Sequence, residues 1–289
     1  MSNVTLSNGV EMPLLGLGTF QMGPTLAEAA VWAALTAGYR RVDTANSYLN
    51  ERAVAGGMSA SGVPRDDVFL STKLWPTEYP DAAEAIDATL ERLATDHVDL
   101  LYLHQPVGEV RTAWEAMEEA YAAGKVRALG LSNFSRGQVE EVLSYATVAP
   151  QVVTCESHPF AQREGFRRWL ASRGIAMEAW FPLGHGSAEL LREPTITDIA
   201  MAHGASPAQA ILRWHVQRGV SVTPSTSKLE HIKENLQALS LELEEDEMAA
   251  IAALDRDEPF YVPTQEVLDG FLTRDLRFEE PREDPWYLR

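Results

Sequence analysis

The stretch VDLLYLHQPVGEVRTAWEAMEEAYAAGKVRALGLS, Val98 to Ser132, contains one complete unit of the fold. Two apolar runs, VDLLYLH (98–104) and VRALGLS (126–132), flank a segment in which Trp114, Met117 and Tyr121 recur at helical spacing. Short apolar runs of about four to eight residues read as buried strands, and recurrence every three to four residues reads as an amphipathic helix. Two strands joined through a helix run parallel, because such a return needs a crossover. The same alternation extends both ways. LLGLGTF (14–20), YRRVD (39–43) and VFLSTKL (68–74) come before, and QVVTCE (151–156), IAMEAW (175–180) and VSVTP (220–224) come after. Ile86, Leu90 and Leu93, and Val139, Val142 and Leu143, mark helices between them.

Eight such alternations predict a (β/α)8 TIM barrel, whose functional residues lie on the loops after the strand C-termini. An open doubly wound sheet is the alternative. Against it, Gly16, Leu17, Gly18 and Thr19 are followed by no third glycine where the phosphate fingerprint G-x-G-x-x-G requires one. VTLSNGVEMP, with its Asn-Gly pair, predicts an N-terminal β-hairpin capping one end of the barrel. Helical segments are expected at about 194–203 and 207–218, and another at EEDEMAAIAALD (244–255). Residues 256–289 read as an irregular C-terminal tail over the barrel mouth, carrying Phe260, Tyr261, Phe271, Trp286 and Tyr287.

At 289 residues and 45% hydrophobic, the chain suits one domain over 1–289, with a barrel core at about 5–255. No window supplies the roughly 18 apolar residues of a membrane span. The N-terminus lacks a signal-peptide pattern, so a soluble, cytoplasmic protein is expected. The net charge of −18 argues against nucleic acid or an anionic membrane as partner. The one cysteine, Cys155, excludes an internal disulfide and reads as an inert core residue. Seven histidines are scattered without an H-x-H pair at a strand end, so no metal is expected.

Four strand ends or following loops carry reactive groups: Asp43, then Tyr48 in DTANSY, then Lys73 and His104. A lysine beside a phenol stabilises phenolate and lowers its pKa, and a carboxylate orients that lysine. Tyr48 could then donate a proton to a carbonyl oxygen. Taken singly, a strand-end Asp is often an N-cap, a Tyr is often packing and a His is often a satisfied core residue. The convergence of four is what favours catalysis.

GLGTF, YRRVDTANSY, STKLW, LLYLHQP, GKVRALGLSNFS, ESHPF, EAWFPLG and VTPSTSKLEHIKEN, in that order, resemble the successive motifs of the aldo-keto reductase superfamily. The resemblance covers about residues 5–255 and is greatest to the bacterial branch that includes 2,5-diketo-D-gluconate reductases. It implies reduction of an aldehyde or ketone, diketones and sugar-derived carbonyls included, by hydride from NADPH or NADH. Asp43, Tyr48, Lys73 and His104 would form the catalytic tetrad, with Tyr48 as proton donor. A monomer acting on a small-molecule carbonyl is the family pattern. The same fold also serves as a dinucleotide-binding regulatory or structural protein with incidental turnover, which remains the alternative.

The resemblance further implies that Ser132 and Asn133 bond the nicotinamide carboxamide and that Trp180 stacks on its ring. The backbone of Phe181, Pro182, Leu183 and Gly184 would run past the pyrophosphate, and Thr19, Phe20 and Asp43 would adjoin the cofactor. The family has Asn-Gln where Val153 and Thr154 stand, so a glutamine contact is lost or replaced by the shorter Thr154 hydroxyl. A tryptophan often follows the catalytic His, and here it is Gln105. Phe20, Tyr48, Trp75, His104 and Gln105 are the expected substrate contacts.

In the closing motif the family holds the 2′-phosphate of NADPH after Pro224 with a Lys-Ser pair and a later Arg. Those positions are Ser225, Thr226 and His231 here, with Lys228 nearby; Glu234 and Asn235 keep the adenine-contacting pair. Hydroxyls such as Ser225, Thr226 and Ser227 before a helix favour capping and anion binding. The loss of the two cations predicts reduced NADPH preference and use of NADH. If Lys228 and the hydroxyls restore the phosphate contact, NADPH still wins.

Overall fold

A computed structural model of the protein describes residues 2–279. The chain opens with β1 (Asn3–Thr5) and β2 (Glu11–Pro13), an antiparallel hairpin pairing Asn3 with Pro13. Gly9 turns it at φ 85, and the Asn8 side chain accepts from the Val10 N–H at 3.2 Å. Leu6 and Met12 from this hairpin pack with Phe69, Leu100 and Val152. Phe69 and Val152 open their strands, and so does Leu100. The hairpin therefore seals the N-terminal end of the barrel, as expected.

The barrel strands are β3 (Leu17–Gly18), β4 (Arg41–Asp43), β5 (Phe69–Leu74), β6 (Leu100–Leu103), β7 (Leu129–Ser132), β8 (Val152–Glu156), β9 (Ala176–Trp180) and β10 (Ser221–Val222). They pair in sequence order and every pairing is parallel. The ring closes through a parallel bridge of Leu15 to Val222, with Gly16 N–H donating to Val222 O at 2.9 Å and Val222 N–H to Leu14 O at 2.8 Å. Closure brings two backbones so near that a Cβ on Gly18 would lie 2.6 Å from Thr223 O. The first and last ladders are shorter than the apolar runs 14–20 and 220–224, because the pairing narrows to this crossing. The barrel is the predicted one, and the open sheet is excluded.

Helices α1 (Pro24–Ala37), α2 (Glu51–Ser61), α3 (Ala82–Arg92), α4 (Val110–Ala122), α5 (Arg136–Tyr145) and α6 (Glu164–Ala171) follow successive strands from β3 to β8. Trp114 and Met117 of α4 and Val139 and Val142 of α5 are buried against the sheet, as their spacing predicts. Between β9 and β10 lie α7 (Ala188–Leu191), α8 (Pro194–Ala202) and α9 (Pro207–Gln217). The first of these was not expected from the sequence. After β10 come α10 (Leu229–Gln237), α11 (Glu245–Ala252) and α12 (Gln265–Phe271). The stretch expected to be irregular thus contains a helix, started by Thr264, whose hydroxyl oxygen accepts from the Val267 N–H at 3.3 Å. Trp286 and Tyr287 lie outside the described residues. Among the described residues no helix is long and apolar enough to cross a membrane.

Candidate active site

The DTANSY segment is held by its own polar residues together with Asn50 just beyond it. Thr44 donates to Asn50 Oδ1 at 2.8 Å, and the Asn50 amide donates to Thr19 O at 3.1 Å and Met22 O at 3.0 Å. Asn46 Oδ1 accepts the Trp75 N–H at 3.1 Å. A 3-10 turn, Asn46–Tyr48, follows from these restraints and delivers Tyr48 above the end of β4. In the parallel register Lys73 lies opposite Tyr102, and Asp43 opposite Ser71.

These strand ends bring the four reactive groups together. Lys73 Nζ lies 2.5 Å from Asp43 Oδ2 and donates to Thr44 O at 2.9 Å, while the Ser71 hydroxyl donates to Asp43 Oδ1 at 2.8 Å. The ammonium is 5.4 Å from the centre of the Tyr48 ring, and the Tyr48 and His104 rings are 5.8 Å apart. Ser47 Oγ lies 3.4 Å from His104 Nδ1, and the Trp75 indole meets the imidazole edge-on at 5.0 Å.

Burial governs the electrostatics. It pushes the Asp43 carboxyl upward, with Lys73 pulling it back. Burial, then the Asp43 and Glu178 carboxylates, holds the Tyr48 hydroxyl well above the ordinary tyrosine value. The sequence-based expectation of a lowered value is corrected here: the lysine charge is committed to Asp43 and Thr44 O, and desolvation of the phenolate dominates. Burial, then the positive charges of Lys73 and Arg274, pushes the His104 imidazole well below its ordinary value. A protonated phenol therefore stands beside a neutral imidazole.

One cavity of about 880 Å³ runs from these groups along the barrel mouth to α10. It is lined by Phe20, Tyr48, Trp75, His104 and Gln105, the whole expected substrate set, together with Lys73. Its middle is lined by Ser132, Asn133, Thr154 and Trp180, then by Phe181, Pro182 and Leu183. Pro224, Ser225, Thr226, Lys228, His231, Glu234 and Asn235 line its outer end. Two expected cofactor contacts do not reach it. Thr19 is fully buried with its hydroxyl on Asp43 O at 3.1 Å, and Gly184 lies beneath the Phe260 ring.

The outer loop corrects the expectation of hydroxyl capping. The α10 N-cap is Lys228, and no side chain caps it. Ser225 Oγ instead donates to Phe20 O at 2.7 Å, tying the loop to the segment that follows β3, and Thr226 Oγ1 accepts from the Lys228 N–H at 3.2 Å. Both hydroxyls thus serve the loop itself.

Several site residues escaped the sequence reading. Glu178 lines the cavity floor, bonded to Arg41, to the Tyr102 hydroxyl at 2.8 Å and to Thr223 at 3.3 Å. An acid inside the apolar run IAMEAW, matched by an arginine inside YRRVD, was the available signal. Arg274 of the tail also lines the cavity unforeseen, beside Tyr261 and Phe271 of the tail expected over the mouth; Phe271 O accepts the Trp75 indole N–H at 3.0 Å. Cys155 is half-buried, packs against the core as expected and also lines a neighbouring cavity; burial raises its thiol to about 12, which disfavours the reactive thiolate.

A nicotinamide dinucleotide fits the residues present. Thr154 Oγ1 and Trp180 Nε1 are buried at the cavity wall, and neither has a hydrogen-bond partner among the described residues. They adjoin the Ser132 and Asn133 strand end, where a carboxamide offers both donor and acceptor.

Residues 14–256 match the Aldo/keto reductase family. The chain is 40% identical over 259 residues to a glyoxal reductase of Bacillus subtilis (strain 168), covering 88% of this chain and 93% of that one. It is 38% identical over 268 residues to a morphine 6-dehydrogenase of Pseudomonas putida, covering 87% and 90%. Among solved structures, an aldo/keto reductase from Brucella melitensis superposes with a TM-score of 0.84 at 37% identity, covering 88% of this chain and 99% of that one.

Proposed function

The chain belongs to the aldo/keto reductase family and is an NAD(P)H-dependent carbonyl oxidoreductase; from that premise we propose that it reduces small aldehydes and ketones at the Asp43, Tyr48, Lys73, His104 site, with Tyr48 as proton donor. The observation that carries this reading is the continuity of one cavity from Tyr48 and His104 to Lys228 and His231. The bound dinucleotide would supply the hydride. Ser132, Asn133 and Thr154 would hold the carboxamide, Trp180 would face the nicotinamide ring, and residues 224–235 would take the adenosine end.

Tyr48 donates its hydroxyl proton to the carbonyl oxygen, which lies between the phenol and His104. The neutral imidazole, with Nδ1 near Ser47, keeps its other edge for that oxygen and does not compete as an acid. Lys73 stabilises the phenolate left behind, and Asp43 keeps the ammonium in place. Gln105 sets a polar amide beside His104. Its Oε1 accepts from Asn133 at 3.3 Å, so its NH2 group suits a second substrate oxygen. Dicarbonyls such as glyoxal, the compound named in one relative, are the substrates of choice for a first assay.

NADH serves this chain well relative to the family, and the NADPH preference is reduced. Ser225 and His231 stand where the resemblance places a lysine and an arginine, and the Ser225 hydroxyl is occupied by Phe20 O. Initial rates with NADH and NADPH against glyoxal test both parts. A carbonyl-dependent rate with either supports the reaction, and parity or NADH excess supports the preference.

A further inference from the structure

Glu156 ends β8, opposite Trp180 in the register with β9, and only 4% of its surface is exposed. Its carboxylate reaches the far end of the chain. One oxygen accepts the Phe260 N–H at 2.6 Å and the other the Tyr261 N–H at 3.1 Å; His158 Nε2 lies 3.1 Å from the first. Two consecutive backbone donors on one carboxylate fix both position and orientation of the tail.

The two tethered side chains then act on different parts of the cofactor-facing wall. The Tyr261 ring meets the Trp180 indole edge-on at 5.7 Å and lines the main cavity. The Phe260 ring rests on His158 at 4.5 Å and covers Gly184, where a Cβ would fall 2.5 Å from it. Gly184 belongs to a segment in which Phe181 (φ 50), His185 (φ 53) and Gly186 (φ 77) are also left-handed. Non-glycine residues hold that conformation only where their surroundings impose it. Phe260 is part of those surroundings.

We propose that Glu156 is a positioning residue that couples the C-terminal tail to dinucleotide binding. By clamping residues 260 and 261 it holds the 181–186 segment and the Trp180 indole in the arrangement that receives the nicotinamide half. The proposal rests on the reading of the cavity as a dinucleotide site. Coupling is reciprocal: whatever affinity the clamped tail lends the dinucleotide, the dinucleotide returns as tail order.

Hydrogen–deuterium exchange on the full chain, with and without NADH, tests this in the peptide 256–272, alongside NADH titration by intrinsic tryptophan fluorescence. In the unmodified protein NADH slows exchange of the Phe260 and Tyr261 amides. Glu156→Gln replaces one accepting oxygen with an NH2 group; exchange there rises, and NADH binds about tenfold more weakly. Phe260→Ala keeps the tether and alters only a partly exposed ring, so it folds even if the buried change does not. It too weakens NADH binding and reduces the NADH-dependent protection. Unchanged exchange with saturating NADH, or wild-type affinity in both variants, overturns the proposal. If neither NADH nor NADPH binds the unmodified protein, the dinucleotide reading falls first and the coupling falls with it.

Discussion

Lys73 Nζ lies 2.5 Å from the Asp43 carboxylate, while 5.4 Å separates it from the centre of the Tyr48 ring. The ammonium is thus committed to its counter-ion and acts on the phenol through space. Its effect matters most when Tyr48 has given up its proton and a phenolate must be accommodated in a buried site. Lys73→Met and Asp43→Asn should each lower kcat by about 10²- to 10⁴-fold, the usual range for a proton-transfer step. Dinucleotide affinity measured by fluorescence should change little. Loss of affinity with kcat preserved would assign the pair to binding instead.

Tyr48 is held well above the ordinary value of 10.0, first by burial and then by Asp43 and Glu178. A raised value means that the neutral phenol, the donor form, persists as pH rises. Ultraviolet difference titration of the dinucleotide-free protein against Tyr48→Phe should therefore show no tyrosinate from Tyr48 below pH 10.0. His104 is shifted in the other sense, below 6.5, so its protonation should not appear near that value by NMR. A Tyr48 transition in the pH 7 to 9 range, in the free protein, would contradict this electrostatic picture.

Ser225→Lys combined with His231→Arg should move the NADPH-to-NADH ratio of kcat/KM upward. One charge-assisted hydrogen bond at about 1.5–3 kcal/mol corresponds to roughly tenfold to 150-fold, and two to as much as about 10⁴-fold. Replacing Ser225 also frees Phe20 O from its 2.7 Å bond, so the Ser225→Ala control separates loop loosening from charge. If the double variant leaves the ratio unmoved, Lys228 already supplies the phosphate contact.

Arg41 and Glu178 form a fully buried ion pair inside the barrel, with side chains 0% and 1% exposed. Removing one partner leaves the other charge stranded, at a cost of about 3–5 kcal/mol. Arg41→Met should show that loss in urea unfolding. A loss under about 1 kcal/mol would mean that the remaining carboxylate is neutralised or solvated, as exposed pairs behave.

The barrel was legible because parallel strands buried on both faces write themselves as apolar runs, and VDLLYLH and VRALGLS did so around one amphipathic helix. The clustering of Asp43, Lys73 and His104 was legible for a topological reason: they lie at the C-terminal ends of consecutive strands, and consecutive strands are neighbours in a barrel. The tail was not. Tyr261 and Arg274 reach the cavity through backbone tethers to Glu156 and a bond to Ser47 O at 3.0 Å, contacts with no periodicity to betray them. The Tyr48 shift was misjudged because charge proximity can be guessed from sequence, whereas the depth of burial cannot. Ser225 and Thr226 were read as helix caps, yet their oxygens meet Phe20 O and the Lys228 N–H; helix onset three residues later decided this.

The most direct measurement is the glyoxal-dependent oxidation of NADH and of NADPH by the unmodified protein and by Tyr48→Phe, with dinucleotide binding followed in parallel. A carbonyl-dependent rate with at least one dinucleotide is expected in the unmodified protein. In Tyr48→Phe it should drop by about 10²-fold or more while binding is retained. A Tyr48→Phe rate close to that of the unmodified protein would contradict Tyr48 as the proton donor. Dinucleotide binding without turnover of glyoxal or any other aldehyde, ketone or dicarbonyl would contradict the carbonyl-reducing role of the site.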